Sequence, residues 1–252
     1  MRPAHRLHER ELLRICGLAA VRALFDRDPD RVERLFFEPA LRGELDASCQ
    51  ELARARKPYR QVDDIELARV AGTVLHGGAV AIARPRPLAD FDPTATQALA
   101  QDGKPLLILD GVGNPHNLGA IARSAAFFDL VRILLANRPD QALPSDAAYR
   151  VAEGGLEYVT LFRAVLPSAL GALRHAYRIV GTSLNAGSAG IDPVGDRPVA
   201  LILGSEKTGL DPATLALCND VVRIRGTGRM QSLNVASAAA ILIYLLTRSA
   251  SG

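Results

Sequence analysis

The sequence is poor in cysteine, lysine and long apolar runs, and each shortage removes a class of protein. Cys16, Cys49 and Cys218 are far apart, odd in number and without CxxC or CxxH spacing. That argues against a disulfide framework or a zinc pattern and fits a reducing compartment. The longest apolar run, residues 233–246, is broken by Asn234 and Ser237 and is too short to span a bilayer. The opening MRPAHRLHERELLR has no apolar stretch of the signal-peptide kind, so a soluble, cytoplasmic protein with no membrane association is expected. His5, His8, His76, His116 and His175 give no metal-spaced pair except His5 and His8, and no metal is expected. Only Lys57, Lys104 and Lys207 among the thirty cations are lysine; arginine is the better fork for phosphate.

What is present is a folded chain of 252 residues, 48% hydrophobic, long enough for one large domain or two modest ones. The net charge of +3 is unevenly placed. Residues 1–88 hold sixteen Arg or Lys against thirteen Asp or Glu, whereas residues 89–252 hold fourteen of each. A bound polyanion would therefore meet the first third of the chain.

Residues 10–84 read as one small αβ layer. Leu13, Leu18, Val21, Leu24 and Phe25 recur at helical spacing, Val32–Phe37 reads as a strand, Leu41–Arg56 as a helix and Ala79–Ala83 as a buried strand. Residues 87–103, rich in Pro, Gly and Asp, read as a linker between a domain at 1–86 and another at 104–252. Beyond Lys104, apolar strands alternate with helices: Leu106–Asp110, a helix over Leu118–Phe128, Val131–Ala136, Arg178–Gly181, Val199–Leu203, Val221–Ile224 and a final helix over Leu233–Thr247. Continuous apolar strands between helices predict a parallel sheet covered on both faces, with ligands in the loops past the strands' carboxyl ends.

Three segments follow those strands: GNPHNLGAIARSA (Gly113–Ala125), LILGSEKTGL (Leu201–Leu210) and IRGTGRMQSLNVA (Ile224–Ala236). Each has an ordinary structural explanation. Asn117 could cap a helix, Gly204-Ser205-Glu206 could be a strand-ending turn, and Ser232 could cap the final helix. Nucleotide-loop readings fail on spacing. Gly111, Gly113 and Gly119 do not make GxGxxG, and Lys207-Thr208 precede the second glycine where Walker A needs them after it. Ser232 lacks the GxSxG context of an acyl-transfer nucleophile.

Taken together, the segments resemble the SpoU/TrmH branch of the SPOUT RNA methyltransferases. The residues that carry the resemblance are Asn117-Leu-Gly119-Ala120-Ile121-Ala-Arg123, Leu203-Gly204-Ser205-Glu206-x-x-Gly209-Leu210 and Ser232-Leu233-Asn234-Val235-Ala236. It covers roughly residues 104–250, and residues 1–86 look like the family's small L30e-like RNA-binding domain. The resemblance implies an α/β fold with a parallel sheet and a C-terminal trefoil knot, an obligate homodimer, and S-adenosylmethionine as cofactor. It implies methylation of a ribose 2′-hydroxyl in tRNA or rRNA. Leu203, Gly204, Ile224, Ser232 and Leu233 match the cofactor-holding positions; Asn117, Arg123, Glu206, Ser232 and Asn234 match the catalytic and substrate-positioning set. Lys207 stands where the family usually has Gly, and Gln231 where it usually has Glu. The alternative is a non-catalytic RNA-binding protein that keeps the knotted fold. Methylation of a base nitrogen is disfavoured, because the Asn…Arg and Ser-Leu-Asn motifs belong to the ribose-methylating branch.

Overall fold

The computed structural model describes residues 12–184, 188–189 and 196–248, so the His5/His8 pair lies outside the described residues. The chain divides into two compact units, Met1–Pro87 with Pro144–Tyr158, and Leu88–Leu143 with Val159–Gly252.

The first unit opens with β1 (Leu13–Cys16), α1 (Leu18–Arg27), β2 (Val32–Phe37), α2 (Asp46–Arg54), β3 (Tyr59–Gln61), α3 (Asp64–Ala71) and β4 (Ala79–Ala83). The sheet order is β1-β4-β2-β3, with β4 antiparallel to both neighbours and β3 parallel to β2. Leu13 is therefore not helical. It pairs with Ala83 in β1, and Gly17 at φ +97° makes the sharp exit from strand to helix that a side chain would resist. The helix expected over Leu41–Arg56 is shorter, because two 3₁₀ turns precede Asp46.

The second unit begins with β5 (Ala89–Asp90), α4 (Thr96–Ala100), β6 (Leu106–Asp110), α5 (Pro115–Phe127) and β7 (Arg132–Ala136). The stretch read as a linker is thus structured from Leu88 onward, and β5 pairs in parallel with a strand of the large sheet.

The chain then returns to the first unit for α6 (Asp146–Ala152) and α7 (Gly155–Tyr158), although 144–158 falls inside the stretch expected to form the second domain. A buried ion network explains why it belongs there. Arg31, only 6% exposed, donates to both Glu157 oxygens at 3.0 and 2.8 Å and to the Tyr149 hydroxyl at 3.2 Å. Arg86 donates to the same carboxylate at 2.7 Å. A buried charge without such partners would be expelled to water.

The second unit continues with β8 (Thr160–Ala164), α8 (Leu166–Leu173), β9 (Arg178–Thr182), β10 (Ser188–Ala189), β11 (Val199–Gly204), α9 (Pro212–Leu215), β12 (Asp220–Arg223) and α10 (Val235–Thr247). Its sheet runs β10-β12-β9-β11-β6-β7-β8-β5 among the described residues, with parallel pairing. Every residue of β6 is buried, as a doubly covered parallel strand requires. Leu106, Ile108, Leu134 and Ile202 pack in one cluster with Leu166, Leu170 and Leu173 of α8. Alternate side chains of the same strands point to the other face, and α5 packs against α10. No helix of the described residues is long and apolar enough to cross a membrane.

Candidate functional site

Three loops of the second unit leave the carboxyl ends of β6, β11 and β12, and each carries one of the singled-out segments. The loop after β6 is braced from within. Gln141 accepts from the backbone N–H groups of Gly111 and Val112 at 3.0 and 3.2 Å and donates to the carbonyls of Val112 and Ala142. Asp110, which ends β6 and is 3% exposed, accepts from Arg138 at 2.8 Å and from the Thr214 hydroxyl at 3.3 Å. The same Arg138 holds the Asp140 carboxyl below the usual carboxylate range by hydrogen bonding to it.

Helix α5 then starts with Asn114 as N-cap, its side chain accepting from the His116 N–H at 2.9 Å, and Pro115 at the first helical position. Asn117 is therefore not a cap; it lies inside the first turn with its side chain buried.

In register, Gly204 at the end of β11 faces Asp110. A Cβ on Gly204 would stand 2.5 Å from the amide nitrogen of Leu210, so only glycine lets the chain fold back there. The turn that follows is closed by Gly209 donating to the Ser205 carbonyl at 2.9 Å and by the Lys207 N–H donating to Ser205 Oγ at 3.2 Å. Glu206 is held on this turn.

Past β12, residues 225–234 are exposed and irregular. Asn234 caps α10, its Oδ1 accepting from the Ala236 and Ser237 N–H groups at 2.9 and 3.4 Å. The final helix thus begins at Val235, and the cap is Asn234 instead of Ser232. The carboxamide of Asn234 reaches two N–H groups of the first turn, and Ser232 stands outside it.

One hydrogen-bonded chain ties the three loops together. Asn234 Nδ2 donates to Asn117 Oδ1 at 3.1 Å, and Asn117 Nδ2 donates to Glu206 Oε1 in a short contact. Its polarity is forced. Backbone N–H groups can only donate, so Asn234 must offer them oxygen and turn its NH₂ to Asn117. Asn117 must then turn its own NH₂ to the carboxylate. Both amides are used at both ends.

The structure thus brings Asn117, Glu206 and Asn234 into contact. Leu203 is buried at 2% exposure, Gly204 and Ile224 are half-buried, and Leu233 is half exposed. Arg123, farther along α5, and Ser232 are exposed, as are Lys207 and Gln231. Sequence reasoning missed Asn114, Asp110, Gln141 and Thr214. Asn-Pro before a helix was a readable cap signal, and a lone carboxylate closing an all-apolar strand was a readable oddity. Gln141 and Thr214 gave no local signal. In the first unit, Glu38, Asp64 and His76 gather within 4.8 Å. His76 Nδ1 accepts from the Gly78 N–H at 3.3 Å, and its buried Nε2 lies 3.1 Å from an Asp64 oxygen without making a hydrogen bond.

Residues 104–244 match the model of the SpoU rRNA methylase family, and residues 14–89 match that of RNA 2′-O ribose methyltransferase substrate binding. A 23S rRNA (guanosine-2′-O-)-methyltransferase RlmB of Acinetobacter baylyi is 32% identical over 244 residues, 94% of this chain and 97% of the relative. An rRNA methyltransferase of Sinorhizobium meliloti superposes with TM-score 0.78 at 22% identity, covering 100% of this chain and 92% of that one. The SpoU methyltransferase AviRb of Streptomyces viridochromogenes, solved with AdoMet, gives TM-score 0.73 at 22% identity and covers 100% of this chain and 95% of its own. At these identities the two solved structures establish the α/β fold with its parallel sheet, and the family match rests on the sequence models and the curated relative. The chain belongs to the SpoU/TrmH family of RNA methyltransferases.

Proposed function

We propose that this protein transfers a methyl group from S-adenosylmethionine to a ribose 2′-hydroxyl in tRNA or rRNA. The observation that carries the reading is the Glu206–Asn117–Asn234 chain, which gathers all three segments at the carboxyl ends of β6, β11 and β12. The first unit serves as an L30e-like RNA-binding domain and the second as the catalytic domain.

The residues present fit the cofactor. Gly204 exposes strand-end backbone, Ile224 and Leu233 offer apolar surface, and residues 225–233 make no backbone–backbone hydrogen bond among the described residues. Such a loop has peptide groups to spare for the polar edges of a nucleoside. When bound, S-adenosylmethionine supplies an electrophilic methyl group on a sulfonium leaving group. The protein's task is then to align the 2′-oxygen and help its proton leave. Arg123 is the residue for this. A guanidinium offers donors and a positive charge but no acceptor, so its part is to hold a neighbouring phosphate and stabilise charge developing on the oxygen. Asn117 and Asn234 orient the ribose, Ser232 hydrogen-bonds beside the hydroxyl or the cofactor, and Glu206 fixes the turn after β11.

The same reading includes a C-terminal trefoil knot, a homodimer through the catalytic domain, and a cytoplasmic location. In support of the knot, β12 lies outside β9, whereas α10 returns to pack against α5 and β11. In support of the dimer, Phe127 is 81% exposed and Tyr244 49%, and both rings lie against Phe128. No metal takes part in this scheme.

The test is Arg123→Ala assayed with labelled cofactor on total RNA, where about a 100-fold or greater loss of rate is expected. Undiminished transfer by a folded variant removes Arg123 from the mechanism. Calorimetry with S-adenosylhomocysteine separates an enzyme from a non-catalytic RNA-binding protein, which gives no heat. Mapping 2′-O-methyl sites in RNA from cells with and without the gene identifies the nucleotide.

A further inference from the structure

Residues Leu52–Val62 hold Arg54, Arg56, Lys57 and Arg60 with no acid among them, the nearest being Glu51 and Asp63. This stretch runs from the last turn of α2 into β3, the edge strand of the first unit's sheet. Lys57 is spent internally: its Nζ donates to the carbonyls of Asp30 and Val32 at 2.7 and 2.5 Å and so pins the turn to β2. With that strut in place the turn's other cations face outward. Arg54 and Arg56 are exposed and carry no ion pair among the described residues. Arg56 has φ +55°, so this is a tight left-handed corner. All three β3 residues are exposed. Tyr59 is 37% exposed, and the Arg42 guanidinium lies 5.9 Å from its ring centroid. Arg60 pairs with Glu66 at 2.9 Å on the adjoining surface.

Charges and a proline on an edge strand can act simply to block sheet-to-sheet pairing. That function does not call for an exposed aromatic ring flanked by arginines, two of which, Arg54 and Arg56, carry no ion pair among the described residues. An accessible ring beside guanidinium groups suits an unstacked base and its flanking phosphates, whereas a closed A-form duplex offers no free base face. We infer that the edge formed by the end of α2 and β3 binds an unpaired RNA segment, with Tyr59 stacking on a base and Arg54, Arg56 and Arg60 meeting phosphates. The inference rests on the reading of the first unit as the RNA-binding domain and names the surface that does the binding.

The experiment measures binding of the full-length protein to labelled oligouridine, to a duplex of equal length and to ribosomal RNA, as a function of salt. Tyr59→Ala should weaken oligouridine binding about tenfold, and Tyr59→Phe should restore it, since the ring and not the hydroxyl stacks. Arg54→Ala with Arg56→Ala should lower the slope of log K against log salt by about 0.7 for each phosphate that the variant no longer neutralises. Calorimetric binding of S-adenosylhomocysteine should be the same in all variants, and their far-UV circular dichroism and urea midpoints should match the wild type, which shows that both units fold. Wild-type binding of RNA that none of these variants weakens overturns the inference and leaves the function of the first unit standing. A wild-type protein that binds neither single strand nor ribosomal RNA overturns both. A change of oligomeric state in Tyr59→Ala with unchanged RNA binding assigns the edge to protein association and also overturns it.

Discussion

The forced polarity of the Glu206–Asn117–Asn234 chain can be reversed by design. Asn117→Asp keeps the oxygen that accepts from Asn234 but replaces the donor to Glu206 with a second carboxylate oxygen. Two carboxylates then face each other at hydrogen-bond range. A hydrogen bond to a charged group is worth about 1.5–3 kcal/mol. Glu206 is solvent-accessible and Asn117 is not, so the lower part of that range applies, with a repulsion of about 1 kcal/mol added. The single variant should lose about 2–3 kcal/mol. Glu206→Gln alone keeps an acceptor oxygen and should lose about 1 kcal/mol or less. Combined, the substitutions restore the bond in the opposite sense, the amide at position 206 donating to the carboxylate at position 117. The double variant should therefore recover most of the loss, with a coupling energy of about 2–3 kcal/mol. Urea unfolding of the four proteins measures it as a double-mutant cycle. Effects that add to within about 0.5 kcal/mol would refute the contact and, with it, the argument that one polar chain unites the three loops.

Other perturbations probe the supporting structure. Glu157→Ala strands the buried Arg31 guanidinium and should cost about 3–5 kcal/mol, whereas Arg31→Met combined with Glu157→Leu should cost far less; shifts in the urea midpoint decide it, and equal losses would count against a buried ion network. Gly204→Ala drives a methyl group into the backbone of Gly209 and Leu210 and should cost about 1–3 kcal/mol, with weaker binding of S-adenosylhomocysteine by calorimetry; a neutral result would mean the turn has room to open. Burial pushes the Cys218 thiol up to about 11. At pH 8 its alkylation by iodoacetamide should run about two orders of magnitude slower than that of a free cysteine, and should keep accelerating toward pH 11, as followed by mass spectrometry. Labelling at the free-thiol rate at pH 8 would contradict that burial.

The elements of the parallel sheet were readable because their physics is local. Leu106–Asp110 needs no partner to be recognised as a buried strand: four successive apolar residues, Leu106–Leu109, suffice. Ala79–Ala83 was legible for the same reason, and Val32–Phe37 by its valine, leucine and phenylalanines on either side of a charged pair. Leu13 misled because its spacing to Leu18 and Val21 fits a helix, and only pairing with Ala83 across the sheet reveals a strand. β3 was invisible: its three exposed polar or amphipathic residues take their conformation from β2 alongside. α6 and α7 join the first unit because Arg31 and Glu157, 126 residues apart, neutralise each other away from water, and no window of sequence spans that distance.

The site divides in the same way. The sequence by itself determined which residues are present in the three segments, their order and their position after apolar strands. It also determined the family, because those short motifs are specific. Tertiary structure decided which of them meet. Asn117 left the capping role to Asn114, Asn234 took the cap expected of Ser232, and the two amides linked through Glu206 while Arg123 and Ser232 stayed at the surface. The reason is geometric: hydrogen bonds at about 3 Å are set by where parallel strands end and helices begin in space, and residues 117, 206 and 234 become neighbours only after β6, β11 and β12 take their places in the sheet.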